Sequence, residues 1–223
     1  MTYLVPWICE DDLRTELLLN VLQEPPSRRG PREVRVTQRG QNGECVRQLT
    51  VTVLPEARTI VPLERSGDAT YGICLVEPVS GQQHIQLFDR HTVAITHGRA
   101  CELHGFAHQG MLARVGRRLA VPYSKTFNAL IRGEYGAELL VFNISDEPGP
   151  LYASRLDHGN RALLGRIPGL GSLRVNVASL PIAATQDDLR ATALLEATFP
   201  FNYYVLACCG AGSERSYSIQ HVK

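Results

Sequence analysis

Apolar and polar positions along the chain predict short β-strands for most of its length. Val34 and Val36 alternate with charged residues. Residues 46–54, 59–63, 72–76, 84–88, 92–96 and 111–115 are further short apolar or alternating runs, separated by Gly, Pro, Asp and Asn. The pattern resumes at 151–156, 162–167 and 173–180, and 199–207 reads as an aromatic-rich strand. Residues 1–8 are apolar and predict one more. Two segments carry a helical period instead. In 10–22, Leu13, Leu17, Leu18, Val21 and Leu22 share one helical face behind acidic Glu10, Asp11 and Asp12, and Pro25 and Pro26 stop the run. In 185–198, Thr185 and Asp188 resemble a capping box, and Leu189, Ala193 and Ala197 form a weak apolar face. The tail, 210–223, is polar and turn-like, and no internal repeat is visible.

The stretch 129–143 organises the rest. Gly133 and Gly136 flank the pair Glu134-Tyr135, and the apolar run from Leu139 to Phe142 ends at Asn143, before the turn-rich Ser145-Asp146-Glu147-Pro148-Gly149. This predicts a β-turn that delivers a buried strand.

Composition narrows the class. At 223 residues, 44% hydrophobic and 20% charged, the chain is an ordinary globular protein able to bury a core. Its net charge of +1 provides no broad field for nucleic acid or an anionic surface. There is no run of 18 apolar residues, so no membrane span is expected, and the N-terminus lacks the pattern of a signal peptide. These features predict an intracellular protein, in cytoplasm or nucleus. The six cysteines follow no framework spacing and read as free thiols.

Five short motifs, in order, resemble those of the single-domain, homotrimeric dUTPases over roughly residues 46–167, and more faintly to 213. The first is Asp68-Ala69-Thr70-Tyr71-Gly72, where Gly72 stands for an acidic residue that helps organise the family's site. The second, Gly116-Arg117-Arg118-Leu119-Ala120, lacks the phosphate-contacting Ser. The third is the central stretch: Ile131, Glu134, Tyr135 and Glu138 fit the nucleoside-binding hairpin, and Arg132 occupies the position of the catalytic Asp. The fourth keeps Gly159 and Arg161, with Leu164 in place of a phosphate-contacting Gln. The fifth survives only as Gly210-Ala211-Gly212-Ser213, without the aromatic that stacks on uracil.

The resemblance implies a mostly β fold, a jelly-roll-like antiparallel β-barrel of the dUTPase type, here with an N-terminal helix and one late helix. The expected layout is an extension over 1–32 comprising the helix and a basic linker, the barrel over 33–215, and a tail over 216–223. An arginine stays protonated at neutral pH and cannot replace a carboxylate as general base. Positions that shape the fold survive and positions that do chemistry are changed. The chain thereby resembles the catalytically decayed, dUTPase-derived proteins of herpesviruses and adenoviruses.

The resemblance implies a non-catalytic protein that binds and modulates a host protein, without a cofactor. Asp68, Tyr71, Arg132, Glu134, Tyr135, Gly159 and Arg161 would form a vestigial nucleotide site. Two alternatives stay open. One is an active, Mg²⁺-dependent dUTP nucleotidohydrolase with a rearranged site. The other is a nucleotide-binding sensor without turnover. A trimer, a dimer and a monomer are all compatible with the sequence.

Other constellations are weaker. His97, Cys101, His104 and His108 are zinc-compatible donors at a spacing that matches no common zinc module. Arg114, Arg117, Arg118 and Lys125 form the most basic local cluster, with few aromatics for base stacking.

Overall fold

The computed structural model describes residues 3–10, 13–19, 30–55, 57–79, 92–97, 100–105, 123–130, 135–155, 161–180, 190–209 and 216–221. The chain divides into two units, 1–112 and 113–223. In the first lie β1 (Tyr3–Ile8), β2 (Leu13–Leu19), β3 (Arg32–Gly40), β4 (Cys45–Val53), β5 (Thr59–Leu63), β6 (Tyr71–Pro78), β7 (Thr92–His97) and β8 (Ala100–Gly105). In the second lie β9 (Tyr123–Leu130), β10 (Tyr135–Asn143), β11 (Gly149–Ser154), β12 (Ala162–Ile167), β13 (Ser172–Asn176), β14 (Arg190–Ala197), β15 (Phe201–Cys209) and β16 (Ser216–His221).

Each unit holds two four-stranded antiparallel sheets, and the strand order repeats. The first unit reads β1-β6-β3-β4 and β5-β2-β7-β8. The second reads β9-β14-β11-β12 and β13-β10-β15-β16, the same two orders advanced by eight strands. The irregularities repeat too. In the first unit an extra residue, Val46, bulges from β4 where the register shifts between Gln38 and Arg39. In the second, Leu164 bulges from β12 where it shifts between Leu151 and Tyr152. Bulges on these sheet-end strands blunt an edge that would otherwise template pairing. The chain is therefore an internal duplication of one antiparallel β architecture. Its clearest sequence trace is Glu16-Leu17-Leu18 on β2 against Glu138-Leu139-Leu140 on the equivalent β10.

Several expectations are corrected. The helix expected over 10–22 is the central strand β2, between β5 and β7. Leu13, Thr15, Leu17 and Leu19 are buried at a period of two, and Leu18 is buried as well. Arg14 and Glu16 alternate with them on the wetter face, but the adjacent leucines Leu17 and Leu18 let the same run fit a helical face in the sequence. The late helix expected over 185–198 is β14 from Arg190 onward, a strand between β11 and β9, with Ala193, Leu195 and Ala197 fully buried; Thr185 and Asp188 lie outside the described residues. Partner strands on both sides override the helix preference of an Ala-rich run. The tail contributes β16, paired to β15. The unit boundary falls inside the span 33–215 expected to be one domain, and β1 and β2 belong to the sheets of the first unit rather than to an extension. The described pairings form open sheets, without the closure of a barrel. The runs 84–88 and 111–115 lie outside the described residues.

In the first unit all six residues of β1 are buried, with Trp7 and Ile8 wholly inside. The Thr15 hydroxyl ties β2 to β1, accepting from Ile8 N (2.9 Å) and donating to Ile8 O (2.8 Å). In the second unit Leu139 and Val141 of β10, Leu151 of β11, Leu195 of β14 and Tyr203 and Val205 of β15 meet in one core. Each fully buried aliphatic side chain there contributes about 1.5–3 kcal/mol.

Candidate functional site

In the first motif, Ser66-Gly67-Asp68-Ala69 is a tight turn closed by Ala69 N–H on Ser66 O at 3.1 Å, with Gly67 at φ 57°. The turn leaves Asp68 exposed and leads Tyr71 into β6 opposite Ile8. Gly72 is fixed by packing. A Cβ there would fall within the van der Waals envelope of the Arg39 carbonyl oxygen and 3.0 Å from Trp7 Nε1. The acidic residue of the dUTPase pattern has no room on this backbone.

The third motif begins β10. The backbone of Tyr135 pairs with Cys209; Arg132 and Glu134 lie outside the described residues. Glu138 is held by Arg174 of β13, with Nε at 2.6 Å and Nη2 at 2.5 Å from the same carboxylate oxygen. Asn143 closes the strand and is fully buried. Its Nδ2 donates to Glu147 O (2.7 Å) and Pro168 O (3.0 Å), and its Oδ1 accepts from Ser145 N (2.9 Å) and Ser145 Oγ (2.8 Å). Its role is to pin two turns together.

In the fourth motif Gly159 lies outside the described residues. The Arg161 guanidinium lies over the Tyr152 ring, 3.8 Å from its centroid, and pairs with Glu196 at 3.5 Å. Asp68 and Tyr71 thus belong to the first unit and residues 132–161 to the second, so the span of the resemblance crosses the unit boundary.

The histidine-cysteine cluster falls on β7 and β8, where the backbone register pairs Thr96 with Cys101, His97 with Ala100 and Val93 with His104. Their side chains, and all of His108, lie outside the described residues, among which no group of three His, Cys, Asp or Glu is placed to hold a metal ion. Of the basic cluster, Lys125 is half-buried on β9. Its Nζ donates to Asn202 Oδ1 at 2.6 Å and lies 5.9 Å from the Phe201 ring, and burial holds its pKa below the usual lysine range. Arg114, Arg117 and Arg118 lie outside the described residues. Cys9, Cys45 and Cys74 are free thiols, and burial pushes that of Cys74 well up.

Sequence reasoning missed a cleft of about 480 Å³ in the first unit, lined by Cys9, Glu10, Arg14, Thr15, Glu16, Pro62, Leu63, Glu64 and Arg65. It borders the first motif, because Cys9 N–H donates to Thr70 O at 2.7 Å. It lies at the β1–β2 connection and the start of β2, which the duplicated topology matches to the β9–β10 connection and the start of β10. That is the place of the central stretch in the second unit. The Glu-Leu-Leu shared by β2 and β10 is the signal that could have found it.

No described residue belongs to a helix long and apolar enough to cross a membrane. Comparison with protein-family models, curated proteins and solved structures finds no match for the chain.

Proposed function

We propose that this is a non-catalytic, dUTPase-like protein, encoded by a virus, that binds and modulates a host protein. The observation that carries the reading is Arg161. It is the charged side chain of the fourth motif that the chain retains, and its charge is engaged by Tyr152 and Glu196. Two others point the same way. Glu138 is taken up by Arg174, and position 72 has no space for a carboxylate. With Arg132 where the general base should be, the expected loss from the missing base alone is about 10²–10⁴-fold in rate.

The test is pyrophosphate release from dUTP with Mg²⁺, run beside a calorimetric titration with a non-hydrolysable dUTP analogue. No release above the buffer rate and no heat of binding are expected. Turnover at an enzyme-like rate would overturn the proposal. Binding without turnover would replace it with the sensor reading, centred on Tyr135.

A further inference from the structure

We propose that the cleft of the first unit receives a guanidinium group, an arginine side chain of a partner protein, with Glu16 as its carboxylate. This rests on the protein-binding reading above and specifies the chemistry of the partner.

The argument comes from comparing the two repeats. In the second unit Glu138 of β10 binds the guanidinium of Arg174, which stands opposite Leu140, two positions along the ladder from Glu138. In the first unit Glu16 of β2 is the equivalent carboxylate, and the residue opposite Leu18, two positions along, is Ile60 of β5. The carboxylate is kept and the guanidinium is missing. Ile60 is 55% exposed, so the place that Arg174 fills in the second unit is open to solvent in the first.

The other charges of the cleft are engaged. Arg14 Nη1 donates to Leu13 O at 2.7 Å, Arg65 Nε donates to Gly67 O at 3.2 Å, and Glu64 pairs with Arg47 at 3.3 Å. Glu10 also has a partner. Glu16 has no hydrogen-bond or ion-pair partner among the described residues. It is half-buried, so an unpaired charge there is costly to leave and rewarding to pair. A guanidinium fits better than an ammonium. It is weakly hydrated and bonds a carboxylate through a planar fork, and its aliphatic stem can lie along Pro62, which lines the cleft opposite Glu16.

The experiment titrates the full chain with N-acetyl-arginine amide, reading backbone amide NMR shifts on β2 and β5, with the citrulline analogue as the neutral isostere. Saturable binding with a Kd of about 1–10 mM is expected for a single side chain. The citrulline analogue and the Glu16→Gln variant should each bind about tenfold more weakly or worse. Ile60→Arg should supply the missing group in cis. It should raise the thermal midpoint read by Trp7 fluorescence, abolish binding of the arginine amide, and lose both effects when combined with Glu16→Gln. Equal binding of arginine and citrulline amides, undiminished binding by Glu16→Gln, or no shift at all would each overturn the proposal. Nucleotide turnover is a separate readout, so failure of the guanidinium site and failure of the non-catalytic reading are distinguishable.

Discussion

The indole N–H of Trp7 donates to the carbonyl oxygen of Arg39 at 2.8 Å, reaching from β1 across β6 to β3. It crosses β6 at Gly72, which pairs with Trp7 on one side and Gly40 on the other. The missing side chain at 72 is what lets the indole through. The resemblance treats Gly72 as a lost acidic residue; the packing makes it a requirement of this sheet.

Gly72→Ala should therefore destabilise the first unit by about 3 kcal/mol or more, combining overpacking with a lost buried hydrogen bond. Gly72→Asp, which introduces the acidic residue of the dUTPase pattern, should be worse and should confer no turnover. Trp7 is the only tryptophan in the chain and is fully buried, so its fluorescence during denaturant unfolding reports this unit directly. An unchanged midpoint for Gly72→Ala would refute the account of the crossing.

Arg161→Ala separates a structural from a ligand-binding role. The side chain is partly exposed, so the ring contact and the ion pair together contribute about 1 kcal/mol. The expected outcome is that small loss of stability, with no change in the response to a dUTP analogue. A nucleotide affinity that falls with Arg161→Ala would assign the residue to a live site.

Strands were legible where breakers bound a short run. The runs 59–63 and 162–167 match β5 and β12, with Pro55 and Ser66-Gly67 around the first and Gly159-Asn160 and Pro168-Gly169 around the second. β2 and β14 alternate too, but Leu17-Leu18 and the Ala-rich run 191–197 fit a helical face as well, and the strands that pair with them are remote in sequence. The duplication was not legible because the units share chiefly strand order and pairing, and the side chains keep only a three-residue trace of it, Glu-Leu-Leu. Half of the Glu138 pair was legible, since Glu138 stands in a motif; Arg174 lies 36 residues away and becomes a partner only through the β10–β13 ladder. The Glu16 cleft had no signal of its own beyond the repeated Glu-Leu-Leu.

Asn143→Ala should cost the second unit about 2–4 kcal/mol. The change orphans the carbonyls of Glu147 and Pro168 and the N–H of Ser145, each in a tight turn next to the core. Asn143→Asp keeps the acceptor for Ser145, removes both donated bonds and sets a buried carboxylate against the carbonyls of Glu147 and Pro168, so it should cost at least as much. Denaturant unfolding followed by far-ultraviolet circular dichroism measures both. Equal stability of Asn143→Ala and the native chain would mean that the turns hold without this hub.

The last prediction concerns alkaline pH. Tyr203 is buried in the core of the second unit, its hydroxyl donates to the carbonyl of Thr126, and burial pushes its pKa up to about 12. The neighbouring Tyr204 is raised in the same direction, also by burial. In the unfolded chain a tyrosine loses its proton near the ordinary value of about 10. Above that pH the unfolded state holds fewer protons than the folded one, so ionisation draws the equilibrium toward unfolding. The stabilisation is fully present below pH 10 and is lost as pH rises toward 12, with a slope approaching about 1.4 kcal/mol per pH unit for each buried tyrosine. Tyr203→Phe has no proton to lose. It should forfeit the bond to Thr126 at neutral pH yet show a shallower alkaline decline, because one buried acid fewer then contributes, with Tyr204 and the Cys74 thiol remaining. Denaturant midpoints measured from pH 8 to 12 in both proteins decide the matter. Parallel declines would mean that Tyr203 ionises as readily folded as unfolded, and so is not held in the dry core described for it.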